Sequence, residues 1–395
     1  MPGVSTRSTL GVDAKPSSPT PSSPAPAPTP GAKSRFVWPS RSDPRLKLSV
    51  VIAALQVLGQ ATLGFKVSIA QILITIGLCG AIELVLTARR QGIWAWPASG
   101  ILTGSSIAFI LRASGTRPGD WFSLHGIGYF VLAAAVALGS KHLLRSGGRH
   151  LFNPSNIGIV ATLLVIGPAH VFPQYLWWGP YDSPGVIASF LVIVAGAAWV
   201  LRPVRMIAMA AAFLSTFWVA VAILAATGAG FFAIWHSGAV SGATYWAYIA
   251  ASPEVLIFVF FMMSDPQTAP KDRSGRMLYG ALTALVAAGL LGAQPSEFGI
   301  KVSILGALVL SCALVPAWRS VLAHRGREVA HGSGVGTKAS QRRGTFQRFR
   351  VGLGRPVILA TLVIAVAVPA DTAVLINNTQ VVLIERGLTT AHNPQ

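Results

Sequence analysis

The sequence predicts an all-α polytopic membrane protein: ten helices in two five-helix halves forming an inverted repeat, a broken helix in each half, and one extra C-terminal transmembrane helix. Three observations lead there. Only 11% of the 395 residues are charged, against about 25% in soluble domains, while 52% are hydrophobic and the mean hydropathy is +0.59. Eleven apolar runs of roughly 18–22 residues recur, each long enough to cross a hydrocarbon layer of about 30 Å. Lys and Arg gather in every second connection between those runs.

Residues 1–45 are rich in Pro, Ser and Ala (PSSPTPSSPAPAPTP) and contain no apolar run. Such a segment cannot bury enough surface to fold, so a disordered cytoplasmic tail is expected; without an apolar h-region it is no signal peptide. The membrane domain, 46–319, holds spans at 48–65, 67–88, 93–112, 124–141, 151–172, 184–201, 205–226, 241–263, 276–293 and 300–318. A basic, Gly- and Ser-rich cytoplasmic loop that touches anionic lipid is expected at 320–355, an eleventh span at 356–376 and an extracytoplasmic tail at 377–395. With the N-terminus inside, 26 of the 31 Lys and Arg lie on the inner side. Only Lys66, Arg112, Arg117, Lys301 and Arg386 lie on the outer one. Basic inner loops give that orientation in a cell inner (cytoplasmic) membrane. They also account for the net charge of +19, so no nucleic-acid partner is expected. The partner implied is the lipid bilayer.

Spans one to five and six to ten form two halves, and because five is odd the second enters the membrane from the opposite side. The third element of the first half opens WPASGILTGSS (96–106), with Thr103; that of the second opens VSGATYWAY (240–248), with Ser241, Gly242, Ala243 and Thr244. Gly-rich or Pro-interrupted segments at matching positions of two halves mark a site on the pseudo-symmetry axis. Small residues let a helix start short of the membrane surface, so its free N–H groups and positive dipole end face a cavity. Broken backbone is tolerated at membrane depth only where it lines such a cavity or is buried in protein. Pro253 frees a carbonyl in the preceding turn, which Ser252 or Glu254 is placed to compensate.

GRHLFNPSNIG (148–158), FMMSDPQTAPKDRSGRMLYGAL (261–282), ASGILTG and SGAT together resemble the NqrB/RnfD family over about residues 48–318. These are membrane subunits of the sodium-translocating NADH:quinone oxidoreductase and of the Rnf complex. A branch of that family, the UnbU-like proteins found with enediyne biosynthesis genes, is similarly close. The resemblance implies a ten-helix inverted repeat like that of urea transporters. It also implies FMN joined through a phosphoester to the Thr of an S-G-A-T motif, here Thr244, by an extracytoplasmic flavin transferase. A second flavin or a quinone, and further membrane subunits of an electron transport complex, are implied as well. The chain departs from the motif at one position: where an Asp usually stands three residues before the Ser, it has Gly238.

Other residues carry two readings each. Asn153, before Pro154, caps a helix start, or it lines a cavity wall facing the second half. Asp265 binds a cation or caps the next turn, with Lys271, Arg273 and Arg276 as candidate partners. Glu83 and Glu254 stand inside apolar runs, where a carboxylate is costly and rarely idle. Each is a proton or cation candidate or a hydrogen-bonded structural acid, and Glu83 is also able to reach toward Arg89 or Arg90. His236 lies just before SGAT; Trp94, Trp96, Trp177 and Trp178 fit an aromatic belt. Cys79 and Cys312 fit no metal spacing and no disulfide framework. The leading expectation is a flavin-carrying electron-transfer subunit of possible redox activity and ion coupling. The alternative keeps the fold without the flavin, as a small-solute channel or a scaffold for a biosynthetic partner.

Overall fold

The computed structural model describes residues 36–146, 148–175 and 182–332, so the expected span at 356–376, the tail at 377–395, Trp177 and Trp178 lie outside the described residues. The described part is mostly helical, and six helices are long and apolar enough to cross a membrane. These are Ile69–Gln91, Pro184–Val204, Ile207–Ala226, Gly242–Met262, Arg273–Leu291 and Glu297–Val315. The chain is thus an all-α membrane protein, with large apolar side chains such as Leu73, Leu191 and Val219 standing exposed on its surface as lipid contact requires.

Helix α1 (Pro44–Thr62) starts where Asp43 accepts the backbone N–H of Arg45 and Pro44 fills a first-turn position that has no use for an N–H. Residues 36–43, assigned by composition to the tail, are instead packed against the segment before α3. Val37 exchanges two backbone hydrogen bonds with Trp94 and Trp96, and Trp38 stacks on Trp96 with ring centres 5.2 Å apart. Helix α2 (Ile69–Gln91) opens on a capping box in which Ser68 and Gln71 satisfy one another's backbone N–H. Gly92, at φ 68°, closes it in the left-handed conformation glycine adopts without strain.

The expected spans at 93–112 and 151–172 are not continuous helices. Each is a 13-residue helix, α3 (Ala98–Ile110) and α5 (Pro154–Ile166), about 20 Å long at 1.5 Å per residue. A strand follows each one, β1 (Leu111–Ala113) and β4 (Val171–Pro173), and the two pair antiparallel with Leu111 opposite Pro173. Both strands are buried, so the apolar pattern runs past the helix ends and hides the change of conformation from a hydropathy reading. Helix α4 (Ile127–Leu143) lies between them and ends in the hairpin β2 (Arg145–Ser146) and β3 (Arg149–His150).

Helices α6 (Pro184–Val204) and α7 (Ile207–Ala226) lead to a second hairpin, β5 (Gly230–Phe232) with β6 (Ala239–Ser241). The eighth span is broken as expected: α8 (Gly242–Ala250), then α9 (Pro253–Ile257), which runs into a π-helical turn at Phe258–Met262. Helices α10 (Arg273–Leu291) and α11 (Glu297–Gly332) complete the described chain; α11 continues 14 residues past the expected span end at 318.

Small residues set the close crossings. A Cβ on Gly104 would stand 2.7 Å from Ile76 Cα and the Thr75 carbonyl, so α3 lies backbone to backbone on α2. Gly280 does the same for α10 on α7. The ends of the chain's two runs of helices meet where α1 packs on α6 and where α5 and β4 pack on α11.

Candidate functional site

Thr244 stands in the first turn of α8 with its side chain exposed. The β5–β6 hairpin delivers it, in a register that places Ser241 opposite Gly230. Ser241 has extended backbone angles but makes no side-chain capping bond, and Gly242 turns into the helix at φ 58° with open space where a Cβ would be. The first N–H groups of an α-helix have no intrahelical partner, so the α8 terminus presents donors beside the Thr244 hydroxyl. The hairpin is itself anchored on the start of α11: Phe232 N–H bonds to the Pro295 carbonyl at 2.8 Å, and Trp235 donates to Glu297 Oε2 at 3.0 Å. Gly238 occupies the hairpin loop at φ 86°, a conformation that disfavours a side chain. His236 is a half-buried loop residue whose ring lies edge-on to Trp235.

The break at Ala251–Ser252 accounts for its polar groups. Pro253 has no N–H, and the Glu254 N–H turns to Ser252 Oγ at 3.1 Å. The carbonyl of Ala250 is taken by the Trp218 indole at 3.0 Å, and the Trp218 carbonyl by the Trp246 indole at 2.9 Å. Ser252 also donates to Glu254 Oε2 at 3.0 Å.

The Glu254 carboxylate does not face an open cation site. Lys301, on α11, places its ammonium 2.8 Å from Glu254 Oε1 and 2.9 Å from Glu297 Oε1, and donates to the Gln174 carbonyl at 3.1 Å. The Lys301 side chain is 3% exposed. Arg112, from β1, is also buried, its guanidinium carbon 4.0 Å above the Tyr175 ring, whose centre is 5.0 Å from the Lys301 ammonium. Two cations counted as outer-loop charges are therefore interior residues, and Glu297 and Gln174 are members that sequence reasoning missed. The Glu297–Lys301 spacing of four was the available signal, since it puts both side chains on one helix face.

Asn153 unites its two readings. Its Oδ1 caps α5 by accepting the Asn156 N–H at 3.2 Å, while its Nδ2 donates to the Met262 carbonyl in the π-helical turn at 3.0 Å. Asn156 reaches across likewise, to the Leu305 carbonyl at 2.9 Å. Asp265 has partners other than those expected. Its Oδ1 accepts the Gln267 N–H at 2.9 Å in a local turn, and its Oδ2 meets His150 Nε2 at 2.9 Å. Capping of the next helix belongs to Asp272, which accepts the Gly275 N–H at 2.6 Å. Arg276 bonds instead to the carbonyls of Pro270 and Arg205.

Thr103 is buried in α3 and turns its hydroxyl back to the Ser99 carbonyl at 2.9 Å. Its motif serves the α2–α3 crossing through Gly104. Glu83 pairs across helices with Lys141 at 2.6 Å and stands 3.4 Å from His142, rather than reaching Arg89 or Arg90. Cys79 and Cys312 are free and buried, and Cys312 Sγ lies 3.4 Å from the Tyr279 hydroxyl. No group of three or more metal-ligating side chains occurs among the described residues. No protein-family model matches the chain, and no curated protein matches it either.

Proposed function

We propose that the chain is a membrane electron-transfer subunit of the NqrB/RnfD kind, with FMN held as a phosphoester on Thr244. The observation that carries this reading is the exposed Thr244 hydroxyl at an uncapped helix start. Gly242 and Ala243 leave room for a phosphate and offer backbone N–H groups to its oxygens, where the helix dipole favours negative charge. The residues present fit that group. When bound, a flavin supplies one- and two-electron redox chemistry, and the protein fixes its place and surroundings. Trp235 and Trp246 provide partly exposed aromatic faces from the adjoining loop and from α8. Gly238 stands where an Asp is usual, and the carboxylate that the loop does contact is Glu297, through Trp235.

An inverted repeat suits the order of packing: α2 on α3 and α4 on α5 in the first half, α7 on α8 and α10 on α11 in the second. The distribution of Lys and Arg supports an extracytoplasmic place for Thr244, the side on which a flavin transferase would act. Glu254 then serves as the partner of Lys301, whose ammonium stands where an external cation would otherwise sit.

The test is in-gel flavin fluorescence of the denatured protein after co-expression with a flavin transferase, with Thr244→Ala beside the wild type. Fluorescence present in the wild type and lost in the variant is the expected result. A dark wild-type band, with the transferase active on a second substrate, removes the covalent flavin and leaves a solute pathway or a biosynthetic scaffold.

A further inference from the structure

At the Asp265 end of the molecule, the last turns of α2 and α4 and the β2–β3 hairpin enclose a cleft of about 210 Å³. Its charged lining is unbalanced: Arg90, Lys141 and Arg145 stand against the single carboxylate of Glu83. Lys141 is spoken for, since its ammonium bonds Glu83 at 2.6 Å and Ser99 Oγ at 2.9 Å. The positive excess therefore belongs to Arg90 and Arg145, both exposed at the rim. A guanidinium only donates, so the 3.0 Å contact of Arg90 Nη1 to His142 Nδ1 makes that nitrogen the acceptor and puts the neutral ring's proton on Nε2. His142 Nε2 is buried and makes no hydrogen bond, lying 3.4 Å from Glu83 Oε2 in ion-pair range only. This N–H, held only at ion-pair range by Glu83, lines the same cleft as the two guanidiniums. His150, the other ring on the cleft, is committed to Asp265 at 2.9 Å.

We propose that this cleft binds a phosphate group, supplied by the headgroup of an anionic phospholipid. Arg90 gives one donor to His142 and Arg145 one to the Gly148 carbonyl, and the donors that remain on the two guanidiniums, with the ring N–H, suit the tetrahedral oxygens of a phosphate better than a planar carboxylate. The apolar side chains beside the cleft point to lipid as the source. Val85 and Leu144 are exposed, and Leu143 is 81% exposed immediately after His142, an arrangement that suits acyl chains below a bound headgroup. Basic pockets between the ends of membrane helices are sites for such headgroups. The inference is independent of a flavin at Thr244.

The test uses the full-length chain in neutral phosphatidylcholine nanodiscs with graded phosphatidylglycerol, and native mass spectrometry to count retained lipid. Wild type is compared with Arg90→Gln/Arg145→Gln and with Arg90→Lys/Arg145→Lys. Every protein carries the same basic C-terminal segment, so its contribution cancels. The expected result is one phosphatidylglycerol retained by the wild type, its apparent affinity lowered at least tenfold in the Gln variant and partly kept in the Lys variant. Inorganic phosphate and glycerol 3-phosphate form the second arm. If they raise thermal stability of the wild type but not of the Gln variant, and phosphatidylglycerol is not retained, the phosphate comes from a soluble ligand and the lipid assignment falls. Equal lipid retention by all three proteins, with no phosphate effect, overturns the proposal.

Discussion

Replacing Lys301 by Met tests whether its ammonium is the charge that makes the broken eighth span possible. The Lys301 ammonium lies 2.8 Å from Glu254 Oε1, 2.9 Å from Glu297 Oε1 and 3.1 Å from the Gln174 carbonyl, with the side chain 3% exposed. Methionine keeps the volume of the stem and removes the charge. Breaking a buried pair by deleting one partner costs roughly 3–5 kcal/mol, because the remaining charge is left uncompensated. Here two carboxylates lose their cation at once, and a buried carbonyl loses a donor, worth about 1–3 kcal/mol more. Against a folding free energy on the order of 5–15 kcal/mol, Lys301→Met is expected to lower the thermal midpoint in detergent by roughly 5–10 °C or to abolish expression. The triple variant Lys301→Met/Glu254→Gln/Glu297→Gln carries no unpaired charge and is expected to recover most of that loss. Scanning fluorimetry of both proteins reads the difference. A single variant as stable as the wild type, or a triple variant no better than the single, would show that the Lys301 ammonium does not hold the two carboxylates.

Three further outcomes follow from local geometry. Asn153→Ala removes both the α5 cap and the donor to the Met262 carbonyl and is expected to cost about 2–4 kcal/mol, whereas Asn153→Ser restores the cap and recovers about 1 kcal/mol in the same unfolding assay. Gly104→Val forces a side chain into the Thr75–Ile76 backbone and is expected to cost about 1–3 kcal/mol, while Gly77→Ala, on the same helix pair but facing open space, stays within about 0.5 kcal/mol of wild type. The hydrogen bond from Arg45 holds the Asp43 carboxyl below its ordinary value, so the stability it gives is present above the unfolded pKa of about 3.9 and is lost as pH falls through the lower folded value. Asp43→Ala is therefore expected to cost about 1 kcal/mol at neutral pH, with the gap to wild type narrowing below about pH 4 in pH-resolved melting curves.

What could be read from the sequence was whatever is local or periodic. The membrane class follows from hydropathy, and the break in the eighth span follows from Ser252-Pro253, because proline removes an N–H wherever it falls. The capping half of Asn153 was legible for the same reason. Its bond to Met262, 109 residues away, and that of His150 to Asp265, 115 residues away, have no local signature. The β1–β4 pair was hidden because buried strands extend an apolar run as a helix would. Arg112 and Lys301 sit at the edges of apolar runs, where a positive charge reads as a loop residue; only the tertiary partners Tyr175 and Glu254 make them interior. For Glu83 the sequence leaves open a proton or cation site, a structural acid or a reach toward Arg89 or Arg90; its pairing with Lys141, 58 residues on, has no local signature.

The most direct measurement is peptide mass spectrometry of the full-length protein, purified from membranes that co-express a flavin transferase and digested to release the peptide carrying Ser241–Thr244. This peptide is expected to gain the mass of one FMN less one water, with fragmentation placing the addition on Thr244. An unmodified peptide, beside a modified control substrate in the same cells, contradicts it.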